Sequence, residues 1–402
     1  MDRRTILRGG AGALALGLTG PKLALAQQFT LAAGAAAAPM GTLPGKAPLI
    51  QRTIRPPNFE TPLAVFKQPF TPNASFFVRY HLSDIPDIDP RTWKLNIAGP
   101  AAGTPIQLSL ADLQAMEQVE VAAVCQCSGN RRGWSDPHVA GVQWGTGAMG
   151  NARWRGVRLK DVLAKAGAAK DLLEISFNGA DKASYDKTPD FVKSIPAYKA
   201  AEDTTIIALQ MNGEPLPKWN GAPARLVVPG WTGTYWIKNL TDIGLLNQPL
   251  GSYWMATAYR IPKSLFPMVQ RFVSQEAGES PNTPITEMVV NSMITSHAEG
   301  DSVTGGSTVE LGGIAWDGGY GILDVQVSTD GGTTWLMAQL GADLGKYSWR
   351  QWSFKTTAGM SGPLVAMVRA RNKAGASQVD TPLFNGPGYH NNAVQKLALN
   401  VR

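Results

Sequence analysis

The stretch VAAVCQCSGNRRGW, residues 121–134, contains both cysteines of the 402-residue chain. An apolar β-like run leads into Cys125. One residue separates it from Cys127, and Ser128-Gly129-Asn130-Arg131-Arg132 reads as a turn carrying two guanidiniums. Side chains two apart on a strand share a face, and their backbone separation strains a disulfide. Both thiols are therefore expected to be free. Two readings stay open: a buried inert pair, or at least one thiolate bound to a metal. Cys127 is the better ligand candidate because it sits where the strand meets the turn, and the Ser128-Gly129 backbone admits a bulky group. Cys125 reads as a small core residue.

Composition bounds the rest. Hydrophobic residues make up 44% and charged residues 17%, as in a soluble globular protein, and the length calls for two domains. With 28 prolines and 43 glycines the chain favours strands and turns. A net charge of +7 without a long basic block argues against nucleic acid and suits a small anionic substrate. Asp2 to Arg8, DRRTILR, resembles a twin-arginine export pattern built on Arg3 and Arg4. The apolar GGAGALALGLTG and an A-x-A site before Gln27 follow. That apolar run is short of a bilayer span. We expect a signal peptide over residues 1–26, cleavage after Ala26, no membrane span and a periplasmic protein of net charge +4. This export route carries proteins already folded around their cofactors. An oxidising compartment also makes a bare thiol a liability.

Residues 27–50, with AAGAAAAPMGTLPG, read as a flexible lead-in. Residues 51–270 mix strand and helix signals. WKLNIAG (93–99) alternates like a strand, Ser109 and Asp112 have capping-box spacing, and LKDVLAKAG (159–167) is a short amphipathic helix closed by Gly167. ARLVVPG (224–230) is a further strand, and SPNTPITEM (280–288) a linker. From 280 to 402 the pattern is β only, with alternating runs around Asp330-Gly331-Gly332. The fold expected is α+β, followed by a β-sandwich.

Zinc fits the thiols poorly: there is no second cysteine pair, and His81, His138, His297 and His390 are scattered. No C-x-x-C-H attaches haem to this chain. A Cys–His nucleophile lacks a local signature.

CSGNRR, together with WGTGAMGNARWRGVRLKDVL (144–163), FFVRYHL (76–82), NGADKASYD (178–186), MNGEPLP (211–217), GAPARLVVPGWTGTYWIKNL (221–240) and WMATAYRIP (254–262), resembles the sulfite oxidase family in order and content. Bacterial periplasmic sulfite dehydrogenases are the most similar branch. The resemblance implies a molybdopterin-binding domain over 51–270 and an immunoglobulin-like dimerisation domain over 280–402. It implies molybdenum–molybdopterin as cofactor, with Cys127 as the metal's protein ligand. The family's anion pocket falls on Arg79, His81, Arg132 and Tyr259. Arginine's planar, permanently charged fork suits an oxyanion, and His81 is expected to add charge near neutral pH. Cofactor contacts fall on Asp181, Asn220, Arg225, Thr232, Thr234 and Lys238; Asn220 stands where vertebrate relatives have histidine. Arg131 and Arg132 are not expected to enter one pocket together. The C-terminal stretch NGPGYHNNAVQ (385–395) lacks the arginine that relatives often bring to the substrate; two readings stay open, that His390 or Asn391 replaces it or that the pocket is less cationic.

The activity implied is oxidation of sulfite to sulfate, with electrons passing singly to a separate cytochrome c and the protein a homodimer. Oxidation of sulfane sulfur and reduction of a sulfoxide are alternatives within the same chemistry. A cofactor-free secreted binding protein is the alternative of a different class.

Overall fold

The computed structural model describes residues 38–263, 266 and 281–402. The expected leader, residues 1–26, lies outside them. No helix of the described residues is long and apolar enough to cross a membrane.

The strand Gln118–Gln126 pairs antiparallel along its length with Met149–Arg158, which pairs in turn with Ile206–Met211. Ala123, Val124, Cys125, Ala152 and Trp154 are buried, so this sheet is covered on both faces and reads as an apolar run. A five-stranded sheet runs Lys193–Pro196, Glu174–Gly179, Leu240–Leu246, Lys94–Ala98, Ile106–Ser109. Its Leu240–Leu246 and Lys94–Ala98 strands are parallel. A third sheet joins Met40–Gly41, Leu49–Thr53, Asn58–Glu60 and Val78–Arg79.

The α-helices among the described residues are short: Leu110–Gln114, Leu159–Lys165, Ala197–Ala200 and Tyr253–Ala256. The first carries the expected capping box between Ser109 and Asp112, and Gly167 at φ +62° follows the second. The α+β expectation therefore overstated the helix. Each helical run is cut within two turns, too short to present a broad apolar stripe, and the domain is mostly β.

The C-terminal unit stacks two sheets. One contains Asn291–Ile294, Thr308–Trp316 and Arg350–Thr357; the other contains Gln395–Val401, Gly362–Asn372 and Ile322–Ser328. Leu311, Val325, Trp352, Val368 and Leu399 fill the space between them.

Two expectations are corrected. The described part of the lead-in is built into the third sheet: Met40–Gly41 pairs with Leu49–Thr53, and Leu49 is buried. The expected linker also forms structure. Asn282–Pro284 pairs antiparallel with Arg260–Pro262 and buries Ile285. Pro44-Gly45 marks a turn within the first packed segment, and Pro284 ends the strand of the second; composition alone does not distinguish either from a tether.

The two units share a core of Phe66, Val124, Met149, Met293, Trp316 and Trp349. The cysteine strand touches the sandwich directly, because Val124 N–H donates to Tyr347 O at 2.9 Å.

Candidate active site

Cys127 directly follows the strand Gln118–Gln126, its N–H held by Ala148 O at 2.9 Å. The turn then closes tightly: Asn130 N–H donates to Cys127 O, and Arg132 N–H donates to Gly129 O, each at 2.9 Å. Arg131 sits in the left-handed region at φ +67°, and the two adjacent guanidiniums part there. Arg131 turns into the C-terminal unit and donates to Ser292 O at 2.8 Å and Ala393 O at 3.1 Å. Arg132 donates through Nε to Pro387 O (2.6 Å) and through Nη1 to Val142 O (3.1 Å), and it lies over the Tyr389 ring.

Both cysteines are free and border one cleft of about 650 Å³, its open mouth included. Of the sequence-derived site residues, Arg79, His81, Cys127, Asp181, Asn220, Arg225, Thr234, Lys238 and Tyr259 line it. Arg132 and Thr232 do not. Arg132 stands at the flank behind Tyr389, and Thr232 is buried in the adjoining turn.

Strand ends and turns from across the domain bring these residues together. Arg79 closes the strand Val78–Arg79 and gives Nη1 to Asn58 Oδ1 (3.1 Å) and Tyr80 O. His81 Nε2 hydrogen-bonds Tyr259 Oη, and its ring stacks on Phe191 with centroids 3.7 Å apart. Tyr259 has φ +57°, costly for an aromatic residue, and is held there by the Ile285 N–H bond to its carbonyl. Its ring stacks on Tyr389 at 5.3 Å. Arg225, in the strand Arg225–Val227, lies between the Trp154 and Trp236 rings, 4.8 and 5.6 Å from their centroids. It donates to Asn220 O and Trp236 O. Lys238 Nζ lies over Tyr80.

Electrostatics correct one expectation. Burial, then the charges of Arg79, Lys238 and Lys193, hold His81 well below the ordinary histidine value. His81 is neutral at pH 7 and adds no charge; it serves as the hydrogen-bond partner of Tyr259. Burial raises Tyr259 above the usual phenol value against the pull of Arg79, so the phenol keeps its proton. Burial lowers Lys238 to about 8 and raises Asp181, which Lys238 partly offsets.

His390 and Asn391 do not replace the missing arginine. His390 rests against Phe266 and burial drives it to about 3, while Asn391 Nδ2 donates to Arg131 O. Tyr389 is the residue this segment brings beside the site.

Sequence reasoning missed Tyr389, Phe191, Lys193 and Lys46, and it read Cys125 as core only. Cys125 is 3% exposed and also borders the cleft, with Arg225 Nη2 4.0 Å from its sulfur. The aromatic residues carry no spacing signal, since stacking is decided by tertiary contact.

The wall contains polar atoms that the protein itself leaves unmatched. Arg79 Nε, Ser128 Oγ, Arg225 Nε and Thr234 Oγ1 are buried without a hydrogen-bond partner, as is Thr232 Oγ1 in the adjoining turn. Such atoms are costly unless a polar guest meets them. Among the described residues no three His, Cys, Asp or Glu side chains converge as a metal cage. A metal here must bring most of its own ligands, and a lone cysteine beside cationic and hydroxyl donors suits a phosphate-bearing cofactor that does so.

Residues 81–254 match the oxidoreductase molybdopterin binding domain, and residues 282–402 the Mo-co oxidoreductase dimerisation domain. The fold and cleft thus belong to a molybdopterin-binding oxidoreductase, and the donor set fits that cofactor. Mitochondrial sulfite oxidase of Homo sapiens is 35% identical over 364 residues, which cover 86% of this chain and 65% of that protein. Sulfite oxidase of Gallus gallus is 32% identical over 347 residues, 82% of this chain and 73% of that protein. The chain belongs to the sulfite oxidase family. The sulfane dehydrogenase SoxCD structure from Paracoccus pantotrophus superposes with a TM-score of 0.72 over 91% of each chain, at 24% identity, a likeness of fold. The chain spans about 65% of the human relative's length.

Proposed function

We propose that this protein oxidises sulfite to sulfate in the periplasm and passes the electrons singly to a separate cytochrome c. One observation carries the reading: Cys127 borders a cleft in which Arg79, His81 and Tyr259 meet Arg225, Lys238 and Thr234. Cys127 would hold the metal. Arg225, Lys238, Thr234 and Thr232 would hold the molybdopterin phosphate and ring, with Asp181 and Asn220 accepting or donating at its edge. When bound, the cofactor supplies two-electron oxygen-atom transfer at molybdenum.

The chain's own residues position and polarise. Arg79 would turn its unmatched, buried Nε–H to a sulfite oxygen, a charge-assisted contact. Tyr259 keeps its proton and can donate it in a hydrogen bond, fixed in direction by neutral His81. Arg132 acts from the flank: its guanidinium braces Tyr389, which stacks on Tyr259. The sandwich domain would pair two copies as a homodimer. Residues 1–26 would direct export.

A second reading, sulfane sulfur or a sulfoxide as substrate, gains from the neutral His81 and from the uncharged Tyr389 that the arginine-free 385–395 segment brings beside the site. Purified protein assayed with sulfite and oxidised cytochrome c decides between them. Sulfite-dependent reduction that Arg79→Gln slows through KM supports the first. No turnover of sulfite by molybdenum-loaded protein would transfer the site to the second.

A further inference from the structure

Lys46 lies in the turn between the strands Met40–Gly41 and Leu49–Thr53, outside every segment that carried the family resemblance. Its Nζ donates to three oxygens: Asn73 O at 2.6 Å, Phe76 O at 3.0 Å and Asn220 Oδ1. The first two belong to one wall segment of the cleft, and Asn220 belongs to another. Phe76 and Asn220 both line the cleft. The same turn is tied twice more to these segments, by Ala47 N–H to Ala74 O (3.0 Å) and by Trp219 Nε1–H to Pro44 O (2.9 Å).

The chain of bonds continues inward. Arg225 Nη1 donates to Asn220 O at 2.9 Å, while Arg225 Nε faces burial without a partner. Lys46 therefore fixes the residue that fixes Arg225. An ammonium ion with three donors meeting three acceptors restrains two segments at once, which no neutral side chain of that length can do. Burial costs this lysine, drawing it down to about 7, and all three acceptors are neutral oxygens. A cradle that receives an anionic guest recovers part of that cost.

We propose that Lys46 is a positioning residue of the molybdopterin cradle, and that the N-terminal strap of residues 38–53 is part of the cofactor-loaded site. The inference rests on the cofactor assignment and goes beyond it, since it couples cofactor retention to a segment that no family motif includes. Lys46 touches neither substrate nor metal; it acts through Asn220 and Arg225.

The test uses full-length protein purified with its cofactor: wild type, Lys46→Met and Lys46→Arg. Molybdenum and released pterin fluorescence are followed during dialysis, and melting temperature is measured with and without cofactor. Lys46→Met should lose pterin about tenfold faster, and Lys46→Arg should restore most of the retention. The stabilisation that cofactor adds should shrink in Lys46→Met, because a ligand stabilises by its affinity for the folded state. Equal release rates in wild type and Lys46→Met would overturn the inference. So would an equal fall in melting temperature with and without cofactor, the mark of a merely structural residue. Wild type isolated without molybdenum or pterin would overturn the cofactor assignment itself, a separate failure.

Discussion

Tyr259 spends backbone energy to stand where it does. Holding a non-glycine residue at φ +57° costs on the order of 1–3 kcal/mol, and the bonds to His81 and Ile285 are what sustain it. Tyr259→Phe keeps the ring stack on Tyr389 and removes only the hydroxyl. We expect kcat/KM to fall about 10²-fold, the usual loss for one oriented donor, and the melting temperature to fall modestly, because the bond to buried His81 goes with the hydroxyl. Arg79→Gln should raise KM about tenfold or more, since a hydrogen bond from a charged donor is worth about 1.5–3 kcal/mol. His390 makes a prediction in pH. Its folded value is depressed from 6.5 to about 3, so its neutral form stabilises the fold fully above pH 6.5, and that contribution is lost as pH falls towards 3. Asparagine tolerates the φ of +56° found there. His390→Asn should therefore match wild type in melting temperature at pH 8 and lose less of it at pH 4.5. Equal losses in both proteins at pH 4.5 would contradict this account of the acid side.

Among the elements, the turn after Cys127 shows how much a short segment can disclose. That its two arginines would part was legible, because adjacent side chains rarely enter one pocket. The resemblance put Arg132 in the pocket, but it stands at the flank; what was not legible is where each goes, because Arg131's left-handed φ and the carbonyls of Ser292, Ala393 and Pro387 settle it, and those carbonyls lie more than 150 residues away. Arg131 is buried with its charge drawn down to about 9, and it bonds only backbone. Arg131→Met leaves two buried carbonyls unmatched, and we expect the fold to lose about 2 kcal/mol. Urea unfolding measures this. The strands Gln118–Gln126, Lys94–Ala98 and Arg225–Val227 were readable from their apolar patterns, and so was the capped helix Leu110–Gln114. The strap at 40–53 and the strand Asn282–Pro284 were not, since two- to five-residue strands rich in Pro, Gly and polar residues pair by tertiary contact. The site was legible in its charged members, which carry chemistry by type. Its aromatic shell and Lys46 were not.

Across the whole molecule, the sandwich is more than an appended module. His390 N–H donates to Ser128 O, Asn391 donates to Arg131 O, and Arg131 answers into Ser292 and Ala393. The loop carrying the proposed metal ligand is thus bonded to the C-terminal unit on both sides. The geometry of that loop should depend on the second domain, and the fold makes sense only if Cys127 is held to a purpose. X-ray absorption at the molybdenum edge reads that purpose directly. In cofactor-loaded protein, Cys127→Ser should lose one sulfur neighbour of the metal, and Cys125→Ser should keep the full set. A Cys127→Ser spectrum with every sulfur still in place would contradict the account.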